Sequence, residues 1–191
     1  AARSDNNTIR IISQGYPPDE ISLESLDVQE AEKGTAAALI RGTAAWFARN
    51  GHTIGGFDAY TTSEVLGGSG LSSSAAFEVA IGNILNTLFG NHVSPEEIAI
   101  AGQFAENHYF GKPSGLMDQM ASSVGGFVQI DFKTPTKPEI VRLSADFAKS
   151  GLALCIVDTG GSHANLTGDY AQIAADMRAV AQVLGKEHLR D

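Results

Sequence analysis

The chain has 191 residues, of which 43% are hydrophobic and 18% are charged. This composition supports a buried core and excludes an intrinsically disordered protein. Twenty-two acidic against 13 basic side chains give a net charge of -9, which disfavours binding to nucleic acid or to anionic membrane surfaces because like charges repel. No apolar stretch reaches the roughly 18 residues that a membrane helix needs. We therefore expect a single soluble domain over residues 1–191.

The predicted elements are strands and helices that do not alternate strictly. Alternating or continuous apolar side chains predict strands at 8–13, 21–26, 57–65, 127–130, 139–143 and 152–157. Helical periodicity predicts helices at 35–50, 74–89, 94–110, 118–124 and 169–184. A doubly wound parallel sheet would need regular alternation, so the order favours the α+β class.

Three of these elements carry more detailed expectations. The helix at 74–89 is apolar on nearly all sides, which predicts a central and buried position. The helix at 94–110 opens with Ser94-Pro95-Glu96-Glu97, the pattern of a capping box with proline in the first turn. Cys155 is the single cysteine; it allows no internal disulfide, which is typical of the cytoplasm, and we expect it to pack inside its apolar strand.

The first chemical motif is the glycine- and serine-rich loop that leads into the helix at 74–89. Free N–H groups and the positive end of the dipole at a helix start bind phosphate without a lysine, and serine hydroxyls add donors. The alternative is a plain junction in which serines cap the helix and bind nothing. Spacing excludes a Walker A loop, a dinucleotide fingerprint and a nucleophile elbow, since the last two would need glycine at Ser73 and Leu71 respectively.

The second motif is Gly111-Lys112-Pro113-Ser114-Gly115-Leu116-Met117-Asp118-Gln119. Glycine and proline form a turn that brings Asp118 to the start of a short helix, where the dipole favours a carboxylate. A carboxylate beside a bound hydroxyl accepts or orients its proton. The alternative is a helix-start charge with no catalytic role.

The two motifs, with one short segment between them and two after them, resemble the GHMP kinases, a family named for kinases of galactose, homoserine, mevalonate and phosphomevalonate. The resemblance covers about residue 65 to the C-terminus, and the Met-Asp-Gln segment is most similar to the members that phosphorylate galactose. It implies the fold of the GHMP kinase N-terminal domain, a mixed sheet packed with helices that is related to the second domain of ribosomal protein S5. The segments that carry it are Gly70-Leu71-Ser72-Ser73-Ser74-Ala75, Ala105-Glu106, Gly115-Leu116-Met117-Asp118-Gln119, and Ser162-His163-Ala164-Asn165-Leu166 with Asp169-Tyr170.

The resemblance also implies an ATP-dependent, Mg²⁺-dependent phosphorylation of galactose at its anomeric hydroxyl. Ser74 and Glu106 match the magnesium ligands, and Asp118 matches the catalytic carboxylate. The sugar-contacting positions of the family correspond to Gly115, Asp118 and Tyr170. The loop positions that surround the ATP phosphates correspond to Gly68, Ser69, Gly70, Leu71, Ser72, Ser73 and Ser74.

The chain also departs from the family. It has no segment with an Arg followed by Gly-Glu-His-x-Asp, which holds the sugar in relatives, and no third GHMP motif. It therefore resembles an N-terminal domain without its first segment and without the C-terminal domain. Alone it is expected to bind nucleotide weakly and to turn over little sugar.

Three alternatives stay open. They are a kinase for another sugar such as N-acetylgalactosamine, a sensor that binds galactose and ATP without catalysis, and an interaction domain whose serine loop is a helix cap.

Overall fold

The computed structural model describes residues 1–65, 70–134, 137–157 and 167–191, apart from the side chains of Thr167, Tyr170 and Ala171. The strands are β1 (Ala2–Arg3), β2 (Thr8–Ser13), β3 (Asp19–Ser22), β4 (Phe57–Thr61), β5 (Phe127–Asp131) and β6 (Glu139–Leu143). The helices are α1 (Ala36–Arg49), α2 (Ser73–Leu88), α3 (Pro95–Ala105), α4 (Met117–Val124) and α5 (Thr167–Val183). Within the described ranges, no helix has the length and apolar character to cross a membrane.

A four-stranded mixed sheet forms the N-terminal part of the fold. Its strand order is β1-β4-β2-β3; β2 pairs with β4 in parallel, and the outer strands run antiparallel to their neighbours. Alternation along β2 buries Ile9 and Ile11 on one face, and Phe57 of β4 lies opposite Ile9 in the register. This face packs on the helices because each strand presents its apolar side chains with period two.

Helices α1 and α2 close the main core over that sheet. The core joins Ile9 and Phe57 of the sheet to Phe47 of α1 and to Ile81 and Leu85 of α2, all fully buried. Both helices also pack against α3, which lies at the centre of the helical layer. The sheet and its helices confirm the predicted α+β class with a mixed sheet.

Helix α3 begins as its sequence predicts. Ser94 Oγ accepts the Glu97 N–H at 3.2 Å, and the Glu97 carboxylate accepts the Ser94 N–H at 2.9 Å, which completes the capping box. At its other end α3 continues into a π-helical turn, Glu106–Phe110, closed by Gly111 in the left-handed conformation at φ 87°. Such wide turns are frequently found at functional sites. The predicted helix at 94–110 is thus one α-helix followed by a π turn.

Several expectations need correction. The predicted strand at 152–157 is wrong: these described residues form no strand, and Cys155 is exposed instead of packed. Helix α2 is buried on one face, whereas Ala76, Ala80 and Asn83 are exposed on the other. The strands predicted at 21–26 and 57–65 are shorter than expected and end at Ser22 and Thr61.

The two corrected burial predictions have a common cause. An apolar pattern shows what a segment would bury, but burial also requires a facing surface.

Candidate functional site

The start of α2 has an unusual backbone. Ser72, the residue that precedes the helix, adopts φ 58° and ψ 41°, a left-handed conformation that costs a non-glycine residue roughly 1–2 kcal/mol. Gly70, two residues earlier, also has a positive φ, of 77°. The chain thus turns sharply into the helix, and strained backbone of this kind is concentrated at functional sites.

Ser72, the serine directly before α2, does not cap the helix with its side chain. The Ser72 side chain makes no cap hydrogen bond, in contrast to Ser94 at the start of α3. The N–H groups of the first helical turn have no intrahelical partner. Among the described residues, Ser72 thus makes no cap bond at the start of α2, which counts against the plain-junction alternative. N–H groups at a helix start can bind an anion.

The Ser74 hydroxyl points to a buried carboxylate. Ser74 Oγ donates to Glu106 Oε1 at 3.3 Å, across a separation of 32 residues in the chain. Glu106 lies at the junction of α3 and the π turn and is 2% exposed. Lys112 Nζ lies 2.8 Å from the same Oε1 atom, because the turn at Gly111 folds the chain back on itself. A hydroxyl, a carboxylate and a cation thus meet beside the start of α2.

Two carboxyl groups with different protonation occupy this region. Burial and the like charge of Glu106 raise the pKa of Glu78 from 4.5 to about 8, so Glu78 is mostly neutral at pH 7. Burial acts in the same direction on Glu106, but hydrogen bonds from Lys112, Ser114 and Gln119 and the Lys112 charge outweigh it and lower the pKa of Glu106. The negative charge of the pair is therefore concentrated on Glu106.

The segment that leads to Asp118 is fixed by α3 and its π turn. The Ser114 N–H donates to Asn107 Oδ1 at 2.6 Å, and the Ser114 carbonyl accepts from Gln103 Nε2 at 3.1 Å and from Asn107 Nδ2 at 3.3 Å. Asp118 then lies exposed in the first turn of α4. The side chains of Gln103 and Asn107 therefore set the path of the loop before the predicted catalytic residue.

The two predicted motifs share one cleft. It has a volume of about 630 Å³, and both Ser72 and Asp118 line it. Exposed Leu71 and Met117 flank it, and side chains of β5 that include Val128 and Ile130 form its apolar wall. A cleft with the start of a helix on one side and a carboxylate on the other has a shape and polarity that suit a phosphorylated ligand beside a hydroxyl-bearing one.

The predicted site residues fall into three groups. Ser74 and Glu106 are in contact, and Leu71, Ser72 and Asp118 line the common cleft, with Gly70 and Ser73 adjoining it in the chain. Gly115 is exposed in open space, where an added Cβ would meet no atom within 4 Å, so packing does not require glycine there. Gly68, Ser69 and the Tyr170 side chain lie outside the described residues, as does the family-like segment at 162–166.

Sequence reasoning gave no role to Glu78, Gln119 or Lys112, although all three contact the site or its neighbours. Gln119 and Lys112 stand inside the second motif, but a motif does not show which side chains turn inward. A usable signal for Glu78 was its position between Ala75 and Val79 on the apolar face of a helix, because a carboxylate is rarely buried without a special environment.

Ser74 and Glu106 offer two oxygen ligands for Mg²⁺. Among the described residues, no three His, Cys, Asp or Glu side chains gather into a metal-binding group. Ser74 and Glu106 nevertheless present two oxygens 3.3 Å apart, and the Lys112 ammonium already occupies the same carboxylate oxygen. Mg²⁺ in phosphate-transfer sites is usually held by one or two carboxylates, with phosphate and water as the other ligands. The residues present satisfy that requirement.

Comparison with known proteins gives a consistent set of matches. Residues 36–126 match the family described as GHMP kinases N terminal domain. The chain is 32% identical over its whole length to a galactokinase of Streptomyces coelicolor and covers 49% of that protein. It is 36% identical to a galactokinase of Glaesserella parasuis over 72% of this chain and 35% of that protein. The chain thus spans about half the length of the Streptomyces relative.

A solved structure supports the same fold. The crystal structure of Lactococcus lactis galactokinase complexed with galactose superposes with a TM-score of 0.66 and 27% sequence identity, over 76% of this chain and 38% of that one. This match, together with the matched family domain, confirms the predicted GHMP kinase N-terminal fold.

Proposed function

We propose that this chain, a member of the GHMP kinase family, carries the phosphate-binding and proton-accepting parts of an ATP-dependent galactose kinase. The observation that supports this most directly is the common cleft, which has Ser72 at the uncapped start of α2 and Asp118 at the start of α4. The relatives named above are galactokinases, and the similar solved structure holds galactose.

In this proposal the ATP phosphates bind at the loop from Gly68 to Ser74. The N–H groups at the start of α2 and the positive end of its dipole stabilise their charge. Ser74 and Glu106 hold Mg²⁺, which when bound supplies neutralisation of phosphate charge. Phosphoryl transfer depends mainly on such positioning and charge stabilisation.

Asp118 acts on the sugar. The oxygen of the anomeric hydroxyl attacks the γ-phosphorus, the bond from that phosphorus to the β–γ bridging oxygen breaks, and ADP leaves with the electron pair. The hydroxyl proton passes to the Asp118 carboxylate. Gly115 and Tyr170 contribute sugar contacts.

The proposal also covers domain organisation and location. Residues 1–191 form one domain, and the protein is cytoplasmic, as its single cysteine predicts.

The test is ADP formation with Mg-ATP and galactose, measured on the protein in the full length that its gene encodes. We expect Asp118→Asn to lower kcat by about 10² to 10⁴, the usual contribution of a general base. Asp58→Asn, a change at an exposed aspartate of β4, serves as the matched control and should leave kcat unchanged.

Other outcomes identify the alternatives. Turnover of N-acetylgalactosamine without turnover of galactose would change the substrate, and binding of both ligands without ADP formation would indicate a sensor. Unchanged Mg-ATP affinity in Ser74→Ala would favour the interaction domain.

A further inference from the structure

Gln119 lies at the centre of a buried polar junction beside the site. Its side chain is 1% exposed, and Nε2 donates to Glu106 Oε2 at 2.9 Å and to Glu78 Oε2 at 3.0 Å. Glu78 and Glu106 are themselves 0% and 2% exposed. One amide group therefore bridges two buried carboxyl groups.

The chemistry of this bridge requires an amide. A primary amide is neutral and offers two N–H donors from one atom. A hydrocarbon side chain of similar size donates nothing, and a carboxylate would add a further like charge. Because the ionised Glu106 carboxylate only accepts hydrogen bonds, it sets the orientation of the Gln119 amide, with nitrogen towards Glu106.

The junction is closely packed. At Gly102 of α3, an added Cβ would lie 3.1 Å from the Glu78 Cβ and Oε2 atoms and 3.2 Å from Gln119 Cγ. The absence of a side chain at this position lets α2 and α4 approach α3 closely enough for the bridge to form. The three helices that carry the site residues are thus joined at one point.

The two carboxylate oxygens of Glu106 have different partners. Gln119 occupies Oε2, whereas Oε1 faces the Ser74 hydroxyl and the Lys112 ammonium. Because Gln119 holds Oε2, Oε1 is the Glu106 oxygen that faces the proposed cation site. Gln119 also follows Asp118 directly in the chain, so the same contact fixes the first turn of α4.

We propose that Gln119 is a positioning residue, which holds the Glu106 carboxylate with Oε1 turned towards Ser74 and the bound cation, and which couples this ligand to the helix of Asp118. The proposal rests on the function proposed above, since it assigns Glu106 to Mg²⁺. Hydrogen-bond partners of metal ligands commonly change metal affinity by 10- to 100-fold when they are removed.

The test compares binding of a non-hydrolysable ATP analogue in Mg²⁺ and in EDTA, using the protein in the full length that its gene encodes and its Gln119→Leu variant. The Mg²⁺ enhancement is the ratio of the affinity in Mg²⁺ to the affinity in EDTA. We expect this ratio to be lower in the variant by about 10-fold or more, with the affinity in EDTA unchanged. Gln172→Leu, at an exposed glutamine of α5, is the matched control and should bind like the wild type. Should Gln119→Leu fail to fold, Gln119→Asn keeps an amide and shortens its reach to Glu106, and the same loss is expected.

The outcomes separate this proposal from the one on which it rests. If the wild-type full-length protein shows no Mg²⁺-dependent binding of the analogue, the function proposed above fails. If the wild type shows it and a folded Gln119 variant keeps the full Mg²⁺ enhancement, the positioning role is overturned and the proposed function stands. Equal weakening in Mg²⁺ and in EDTA would also overturn it, because that pattern indicates general disorder of the site.

Discussion

Two regions of the molecule differ in which side chains they bury. One is the junction where α2, α3 and α4 meet around Gln119, and the other is the C-terminal part from β6 onward. In the junction, charged and polar residues lie in the interior: Glu78, Glu106 and Gln119 are at most 2% exposed. In the C-terminal segments, aliphatic residues lie outside: Leu154 and Val157 are 72% and 80% exposed. Polarity alone therefore decides burial in neither region.

This difference shows what each region contributes. Buried polar groups cost free energy unless they are paired. In the junction Gln119 Nε2 donates to both carboxyl groups and the helices enclose all three side chains. Among the described residues, Glu78 Oε1 and Gln119 Oε1 are left without a hydrogen-bond partner. The exposed aliphatic residues form an apolar surface that gives little to the stability of the described fold. Matched substitutions, one in each region, test this contrast.

The largest difference is expected for the same substitution at two leucines. Leu85 of α2 is fully buried, so Leu85→Ala should lower the free energy of unfolding by about 2–5 kcal/mol through lost burial and the cavity left behind. Leu154→Ala should change it by less than about 0.5 kcal/mol. Urea unfolding followed by the fluorescence of Trp46, the single tryptophan, measures both. Equal losses at the two positions would remove the contrast.

The second prediction concerns the pH dependence of stability without Mg²⁺. The folded-state pKa of Glu78 is raised to about 8, by burial and then by Glu106, with Asp118 adding to the shift and Gln119 and Lys112 opposing it. The folded state thus holds a proton that the unfolded state releases, and the free energy of unfolding falls as pH rises from about 4.5 to 8. At pH 7 this penalty is about 3 kcal/mol.

The variant Glu78→Gln removes this ionisation. We expect it to gain stability relative to the wild type as pH rises through this window, measured by urea unfolding at pH 5, 6, 7 and 8. Glu139→Gln, at an exposed glutamate of β6, should follow the wild-type profile. A Glu78→Gln profile parallel to the wild type would show that the buried carboxyl is ionised throughout.

The third prediction compares two lysine ion pairs. Lys112 faces the buried Glu106 at 2.8 Å, whereas Lys149 pairs with exposed Asp146 at 3.2 Å. Lys112→Met leaves a buried carboxylate without its cation and should cost about 2 kcal/mol, between the values for exposed and buried pairs. Lys149→Met should cost less than about 0.5 kcal/mol.

The Lys112→Met variant also tests the proposed cation site. If Lys112 occupies the oxygen that Mg²⁺ takes, Mg²⁺ with a bound ATP analogue should raise the melting temperature of Lys112→Met more than that of the wild type. Thermal unfolding monitored by circular dichroism measures this. An equal rise in both would place the ion away from Glu106 Oε1.

The sequence predicts the elements of the junction better than its contacts. Local signals identify α3, whose capping box is a four-residue pattern, and a family resemblance predicts site roles for Glu106 and Asp118. The bridge from Gln119 to Glu78 joins residues 41 positions apart, and no local pattern encodes a contact of that range. The strand predicted at 152–157 fails for a related reason, since an apolar run specifies a need for burial without specifying the surface that meets it.

The smallest expected effect lies at the end of α3 away from the site. Ser94 and Glu97 form the capping box there, and Ser94→Ala should lower the free energy of unfolding by about 1 kcal/mol, because the Glu97 N–H loses its acceptor at the helix start. Ser144→Ala, at an exposed serine after β6, should have almost no effect. Neither change should alter the Mg²⁺ enhancement of nucleotide binding, since Glu106 lies at the opposite end of α3. A loss of that enhancement in Ser94→Ala would mean that the junction depends on the whole length of α3 and not on the contacts around Gln119.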